Sequence, residues 1–179
     1  MKLLVVSGSA RRDSLNSQLA RLVAQLRPAD TVTVVTDLTD LPYYNADLEA
    51  AGTPPAVVEL RAAVYAADAI VIVTPEYNGT VPGMLGNAID WLSRPPRHSV
   101  LRAKPALVLS ASPGRRGGTR GAARLREVLE RIGTNVFLTD CLSPPQISNL
   151  APARTPLLVA DLVLLLGSTL DRQLAPVAA

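Results

Sequence analysis

The sequence predicts an α/β domain in which a parallel five-stranded sheet carries helices on both faces, and two observations predict it. Apolar runs of strand length alternate along the chain with stretches of helical spacing, and three of the runs end in loops built from small, hydroxyl-bearing or glycine residues. In a sheet of this kind ligands bind in the crevice beyond the carboxyl ends of the strands, so the three loops at 7–16, 75–83 and 110–118 are expected to converge on one site.

The elements follow in order. Leu3-Leu4-Val5-Val6 is a continuous apolar strand, and Leu15, Leu19, Leu22, Val23 and Leu26 mark one face of the helix behind it. Pro28 and Asp30 break that pattern before the β-branched strand Thr31–Val35. The segment from Asp37 to Pro55, with Pro42, Gly52, Pro54 and Pro55, reads as a long loop, in which Tyr43 and Tyr44 serve surface packing, a pocket wall or an oligomer contact. A helix at 56–67 precedes the strand Ala69–Val73, and Pro82 stands at the start of a helix over 84–93. The strand at 104–110, a helix over 119–132 with Ala122, Leu125, Leu129 and Ile132 inward, and a short strand at 135–138 complete the alternation. The Pro-containing stretch 143–156 is expected to lead a terminal helix back across the body.

Composition narrows the function. With 179 residues, 48% hydrophobic and 18% charged, the chain suits one globular domain. One cysteine and one histidine disfavour a disulfide framework or a Cys/His metal cluster, and a cytoplasmic location follows. Cys141 is expected to be a small buried residue and His98 to lie on a surface loop. The apolar stretch at the amino terminus stops at Ser7, too short for a signal sequence. Leu157–Leu166 is broken by Asp161 and falls short of the roughly 20 residues that cross a bilayer, so it reads as a core or interface helix. A net charge of +3 with only 3% aromatic residues gives no stacking platform for nucleic acid; small anionic molecules are the better partners.

The loop Ser7-Gly8-Ser9-Ala10-Arg11-Arg12-Asp13-Ser14-Leu15-Asn16 leads from a strand directly into a helix, so free N–H groups and the positive end of the helix dipole coincide there. Gly8 allows a tight turn, Ser9, Ser14 and Ser17 offer hydroxyls, and Arg11 adds a planar charged fork, a set that suits a phosphate monoester. Helix capping by Ser14 or Asn16 is the competing reading. Neither Gly-x-x-x-x-Gly-Lys-Ser/Thr nor Gly-x-Gly-x-x-Gly is present, which leaves a mononucleotide phosphate as the simplest ligand.

Gly8-Ser9-x-Arg11-x-x-Ser14-x-Asn16, then Pro75-Glu76-Tyr77-Asn78-Gly79-Thr80-Val81-Pro82-Gly83 followed by Asn87-Ala88-Ile89-Asp90-Trp91, then Ser112-x-Gly114-x-x-Gly117-Gly118, resemble the NAD(P)H-dependent FMN reductase family over Leu3 to Phe137. One departure is Gly86, where relatives often carry lysine. The resemblance implies a flavodoxin-like fold with sheet order 2-1-3-4-5, bound FMN, NADPH or NADH as co-substrate, and a homodimer or homotetramer. It further implies that Ser9, Arg11, Ser14, the Leu15 backbone and Asn16 hold the FMN phosphate. Pro75, Glu76, Tyr77, Asn78 and Gly79 would follow the isoalloxazine ring through main-chain groups, with Ser112, Gly114, Gly117 and Gly118 on its other side.

On this reading the protein positions the rings, and electrons pass to a small-molecule acceptor such as a flavin or quinone. Glu76 is expected to be structural and not catalytic. Arg115, Arg116 and Arg120 are candidates for the phosphates of the nicotinamide nucleotide, against the alternative of a solvated basic patch. Two rival functions remain: a flavodoxin-type electron carrier, disfavoured by the basic charge, and a phosphate-binding enzyme without redox chemistry.

Overall fold

The computed structural model describes residues 1–114 and 116–142. Arg115, the stretch 143–156, the segment 157–166 and the side chain of Cys141 lie outside the described residues, and the expectations for them with it. The chain runs β1 (Lys2–Ser7), α1 (Leu15–Leu26), β2 (Thr31–Val35), α2 (Ala46–Ala51), α3 (Pro55–Ala66), β3 (Ala69–Val73), α4 (Gly83–Leu92), β4 (Pro105–Ala111), α5 (Thr119–Ile132) and β5 (Asn135–Leu142). All four strand pairings are parallel, and the order is β2-β1-β3-β4-β5, as the resemblance implied.

The two-residue period of the strands divides the core between the faces of the sheet. Leu4, Val6, Ile70, Ile72, Ala106 and Val108 point toward α3, α4 and α5, where Val57, Leu60, Val64, Trp91, Leu125 and Leu129 meet them. Leu3, Val5, Ala69, Val71, Val73, Leu107 and Leu109 point the other way, onto Leu19, Leu22 and Val23 of α1. Burial on both sides is why β1 and β3 are apolar without alternation.

Two elements differ from expectation. The segment 37–55 is not a structureless loop, because it contains α2; Asn45 caps that helix by accepting from the Asp47 N–H at 2.8 Å, and Asp47 and Glu49 stand in its first turn. Six residues carry too little periodicity to announce a helix. The last strand runs to Leu142 and not to Leu138, with a register shift opposite Ala106 and Leu107 where the two strands fall out of step. Its polar Thr139 and Asp140 hid the continuation. Elsewhere the observed boundaries of α3, α4 and β4 differ by one residue, the usual fraying of element ends.

The segment around α2 is fastened to α4. Asn87 accepts from the Tyr44 N–H (2.8 Å) and donates to the Pro42 carbonyl (3.0 Å), while the indole N–H of Trp91 donates to the same carbonyl at 2.7 Å. Tyr44 meets Trp91 edge to face at 5.0 Å and lies under the Arg94 guanidinium, so Tyr44 packs inward while Tyr43 faces solvent. His98 is exposed, as expected.

Candidate functional site

The chain enters the sheet at β1, steps to β2 on one side and returns to β3 on the other, so the switch point falls between β1 and β3. Ser7 stands beside Val73 in the register, and Val73 beside Leu109. The ladder extends one rung past the strand ends, with the Gly8 N–H donating to the Val73 carbonyl and the Thr74 N–H to the Leu109 carbonyl, both at 2.8 Å. The three loops therefore leave the sheet side by side.

They enclose one cleft of about 440 Å³, lined by Ser9, Arg11, Ser14, Leu15, Asn16, Pro75, Glu76, Tyr77, Ala111, Ser112 and Pro113. Nine of these eleven are candidate site residues from the sequence; Ala111 and Pro113 were missed, and their position at and just beyond the end of a strand was the available signal. Asn78, Gly79, Gly114, Gly117 and Gly118 belong to the same loops without lining the cleft. A second hollow, about 280 Å³ between β2 and α3, has Asp37, Asp40 and Glu59 around an apolar floor. Those carboxylates repel a phosphate, which leaves the first cleft as the candidate site.

The first loop separates the roles its residues were expected to share. Ser14 is the N-cap of α1, its hydroxyl accepting from the Ser17 N–H at 3.3 Å, and it also lines the cleft. Ser17 is not available to a ligand: its buried hydroxyl donates to the Ser9 carbonyl (3.1 Å) and shares a 2.9 Å hydrogen bond with Ser7. The Asn16 amide is engaged at both ends by the Ala111 main chain, donating to its carbonyl and accepting from its N–H, each at 2.9 Å. That pair staples the first loop to the third. What the loop leaves open is the exposed Arg11 side chain, the Ser9 hydroxyl, and the first-turn N–H groups of Leu15 and Asn16, which have no acceptor among the described residues. Gly8 is required for a reason other than a tight turn: a Cβ there would stand 2.8 Å from the Leu85 side chain of α4. We expect Asn16→Ala to lower the unfolding free energy by about 1–3 kcal/mol, because two main-chain groups lose their partner; urea unfolding measures it, and an unchanged midpoint would mean that water replaces the amide.

In the second loop, Tyr77-Asn78-Gly79-Thr80 closes a tight turn with reciprocal main-chain bonds between Tyr77 and Thr80 of 3.0 and 3.1 Å. Asn78 and Gly79 both have positive φ (54° and 73°), the pair of angles that favours Asn-Gly in such a turn. Their N–H groups have no acceptor among the described residues. Glu76 is structural, as expected: one carboxylate oxygen accepts from the main-chain N–H groups of Arg120 (2.9 Å) and Gly121 (3.1 Å) at the start of α5.

In the third loop, the Ser112 hydroxyl accepts from the Gly114 N–H at 3.1 Å. Gly117 is held by its carbonyl, which accepts from the buried Ser110 hydroxyl at 2.9 Å, and Gly118 is the left-handed N-cap of α5. Arg116 and Arg120 are exposed, and neither forms an ion pair among the described residues, whereas Arg124 and Arg126 further along α5 pair with Glu127 and Glu130.

Taken together, one end of the cleft offers cation, hydroxyl and helix N-terminus, and the other offers rigid main chain at close range. That donor set fits a flat ring system ending in a phosphate monoester, the shape of FMN. Residues 1–146 match the family model described as NADPH-dependent FMN reductase. The chain belongs to the NADPH-dependent FMN reductase family. Members of the family are oxidoreductases that use FMN with a nicotinamide nucleotide, and this chain is one of them.

The chain is similar to an NAD(P)H-dependent FMN reductase of Pseudomonas aeruginosa, with 43% identity over 129 residues, 72% of this chain and 69% of the relative. It is similar to a quinone reductase of Escherichia coli K12, with 42% identity over 131 residues and the same two coverages. Among solved structures it resembles FerB, a flavoenzyme NAD(P)H:(acceptor) oxidoreductase of Paracoccus denitrificans, with a TM-score of 0.71 and 38% identity, covering 76% of this chain and 74% of that one. A flavodoxin of Pseudomonas aeruginosa, at 19% identity and a TM-score of 0.58 over 91% of this chain and 97% of that one, shares the fold. Among the described residues no helix is long and apolar enough to cross a membrane.

Proposed function

We propose that this reductase holds FMN in the cleft between the 7–16, 75–79 and 111–118 loops, takes its electrons from NADPH or NADH, and passes them to a small quinone-type acceptor. The single observation that carries the site is that one continuous cleft joins the open donors of Ser9, Arg11, Leu15 and Asn16 to Pro75, Glu76, Tyr77 and Ser112. Ser9, Arg11, Ser14 and the N–H groups of Leu15 and Asn16 hold the phosphate. Pro75 and Tyr77 face the ring on one side and Ser112 on the other, with the open N–H groups of Asn78 and Gly79 and the main chain of Gly114, Gly117 and Gly118 completing the same two loops at the ring's rim. Bound FMN supplies two-electron carrier chemistry between the nucleotide and the acceptor.

The protein's own contribution is placement: among the described residues lining the cleft Glu76 is the one carboxylate, and the start of α5 engages it. Arg116 and Arg120, without a carboxylate partner among the described residues, and Arg115 between them and Ser112 in sequence, attract the phosphates of the nicotinamide nucleotide. The quinone-type acceptor rests on the names of the relatives, such as the Escherichia coli quinone reductase. A cytoplasmic homodimer or homotetramer completes the proposal.

The deciding experiment is anaerobic addition of NADPH, then NADH, to the purified FMN-loaded protein, followed by a benzoquinone. Rapid bleaching of the flavin absorbance and its return with quinone are expected. A protein that binds FMN but does not bleach with either nucleotide is an electron carrier, and one that takes up no FMN refutes the cleft assignment.

A further inference from the structure

We propose that Glu76 is a positioning residue: its carboxylate latches the second loop to the start of α5 and so holds two walls of the cleft as one body. The inference rests on the flavin reading of the cleft and adds to it a residue whose side chain, not its main chain, decides how well the cofactor is held.

Three observations on separate atoms converge on the latch. First, α5 has no capping side chain of its own: its N-cap is Gly118, and its first turn carries no acid. The exposed N–H groups of that turn are instead taken by Glu76, 44 and 45 residues earlier in the chain, at 2.9 and 3.1 Å. An ionised carboxylate at the positive end of a helix forms charge-assisted bonds that are stronger than neutral ones. Second, the helix start is seated on the loop's backbone. A Cβ at Gly121 would stand 3.1 Å from the Glu76 Cα and Cβ and 3.2 Å from the Pro75 carbonyl oxygen, so the small residue is what lets the helix come close enough for the carboxylate to reach. Third, the two segments run side by side beyond the latch: the Arg120 side chain lies 3.8 Å from where a Cβ on Gly79 would stand.

Glu76 itself lines the cleft. A latch at this point fixes the cleft-lining Pro75, Glu76 and Tyr77 relative to the start of α5, whose preceding Gly117 is tied to Ser110 beside the cleft-lining Ala111 and Ser112, before any ligand arrives. Preorganisation of that kind is converted into affinity.

The test uses the full chain in three forms: wild type, Glu76→Gln and Glu76→Ala, each stripped of flavin and titrated with FMN by fluorescence quenching. Glutamine keeps an oxygen that accepts from the same two N–H groups, so its FMN dissociation constant stays within about threefold of wild type and NADPH still bleaches the flavin. Alanine removes the acceptor, and FMN affinity falls by about tenfold or more. In the flavin-free proteins, amide hydrogen exchange at Arg120 and Gly121 accelerates in the alanine variant and not in the glutamine one.

Glu76→Ala with a lowered melting temperature but unchanged FMN affinity reduces the latch to a fold-stabilising cap and overturns the proposal. Glu76→Gln that binds FMN normally yet is not reduced makes Glu76 a catalytic group and overturns it as well. Wild-type protein that takes up no FMN refutes the flavin reading and this inference with it. That result differs from failure of the latch alone, in which wild type binds FMN and all three proteins exchange alike.

Discussion

Replacing Arg11 by alanine is expected to weaken FMN binding by about ten- to a hundredfold, the effect of losing a charge-assisted bond to a phosphate dianion. The expectation comes from the inventory of the first loop. Ser17 is consumed by Ser7 and Ser9, Asn16 by Ala111, and the Ser14 oxygen accepts from the helix it caps. Arg11 is then the cleft-lining side chain that brings full positive charge to this end, and its own loop offers no carboxylate partner among the described residues. Riboflavin, which lacks the phosphate, serves as the internal control: its affinity should be the same for wild type and Arg11→Ala. A variant that loses both ligands equally places Arg11 against the ring and not the phosphate. One that loses neither removes it from the site.

Trp91→Ala is expected to cost about 3–5 kcal/mol of unfolding free energy, the range for deleting a buried aromatic residue. Trp91 is fully buried in the core between the sheet and the α3–α5 layer. The substitution removes more than volume. It also takes away the indole bond to the Pro42 carbonyl and the edge-to-face contact with Tyr44, two of the fastenings that hold the segment around α2 to α4. Chemical denaturation of the flavin-free protein measures the loss. Trp91→Phe keeps the ring but not the N–H and should recover more than half of it; a phenylalanine variant no better than alanine would put the hydrogen bond ahead of packing. The contact was not visible beforehand, since Tyr44 and Trp91 lie 47 residues apart in a chain read locally.

Much of the architecture was legible because it rests on local rules. The continuous apolar runs of the strands, the helical spacing of α1 and α5, and the glycine and proline punctuation each act within a few residues, so the strand count and the alternation of strand with helix follow from them. The Asn78-Gly79 turn, with positive φ at two successive residues, rests on the same local rules, although from the sequence 75–83 reads only as a loop. The three loops could be named as partners because a parallel α/β sheet sends its strand ends to one rim.

Which atoms of those loops remain free for a ligand was a different matter, and only the tertiary structure decided it. Ser9 and Ser17 are the same residue type eight positions apart and both are buried, yet Ser9 lines the cleft while the Ser17 hydroxyl is taken by Ser7 and the Ser9 carbonyl. The Asn16 side chain looked like a phosphate ligand, but Ala111, 95 residues later, occupies its amide and leaves the main-chain N–H as what Asn16 can offer. Glu76 spends its charge on a helix that begins more than forty residues downstream, and Gly8 is fixed by Leu85 of another helix. The sequence by itself determined the elements, their order along the chain and the rim on which the loops meet, because propensity and periodicity are properties of neighbouring residues. The allocation of hydrogen bonds within that rim was decided by the fold alone, because a buried donor pairs with whichever acceptor packing brings within hydrogen-bond reach, however distant in the chain.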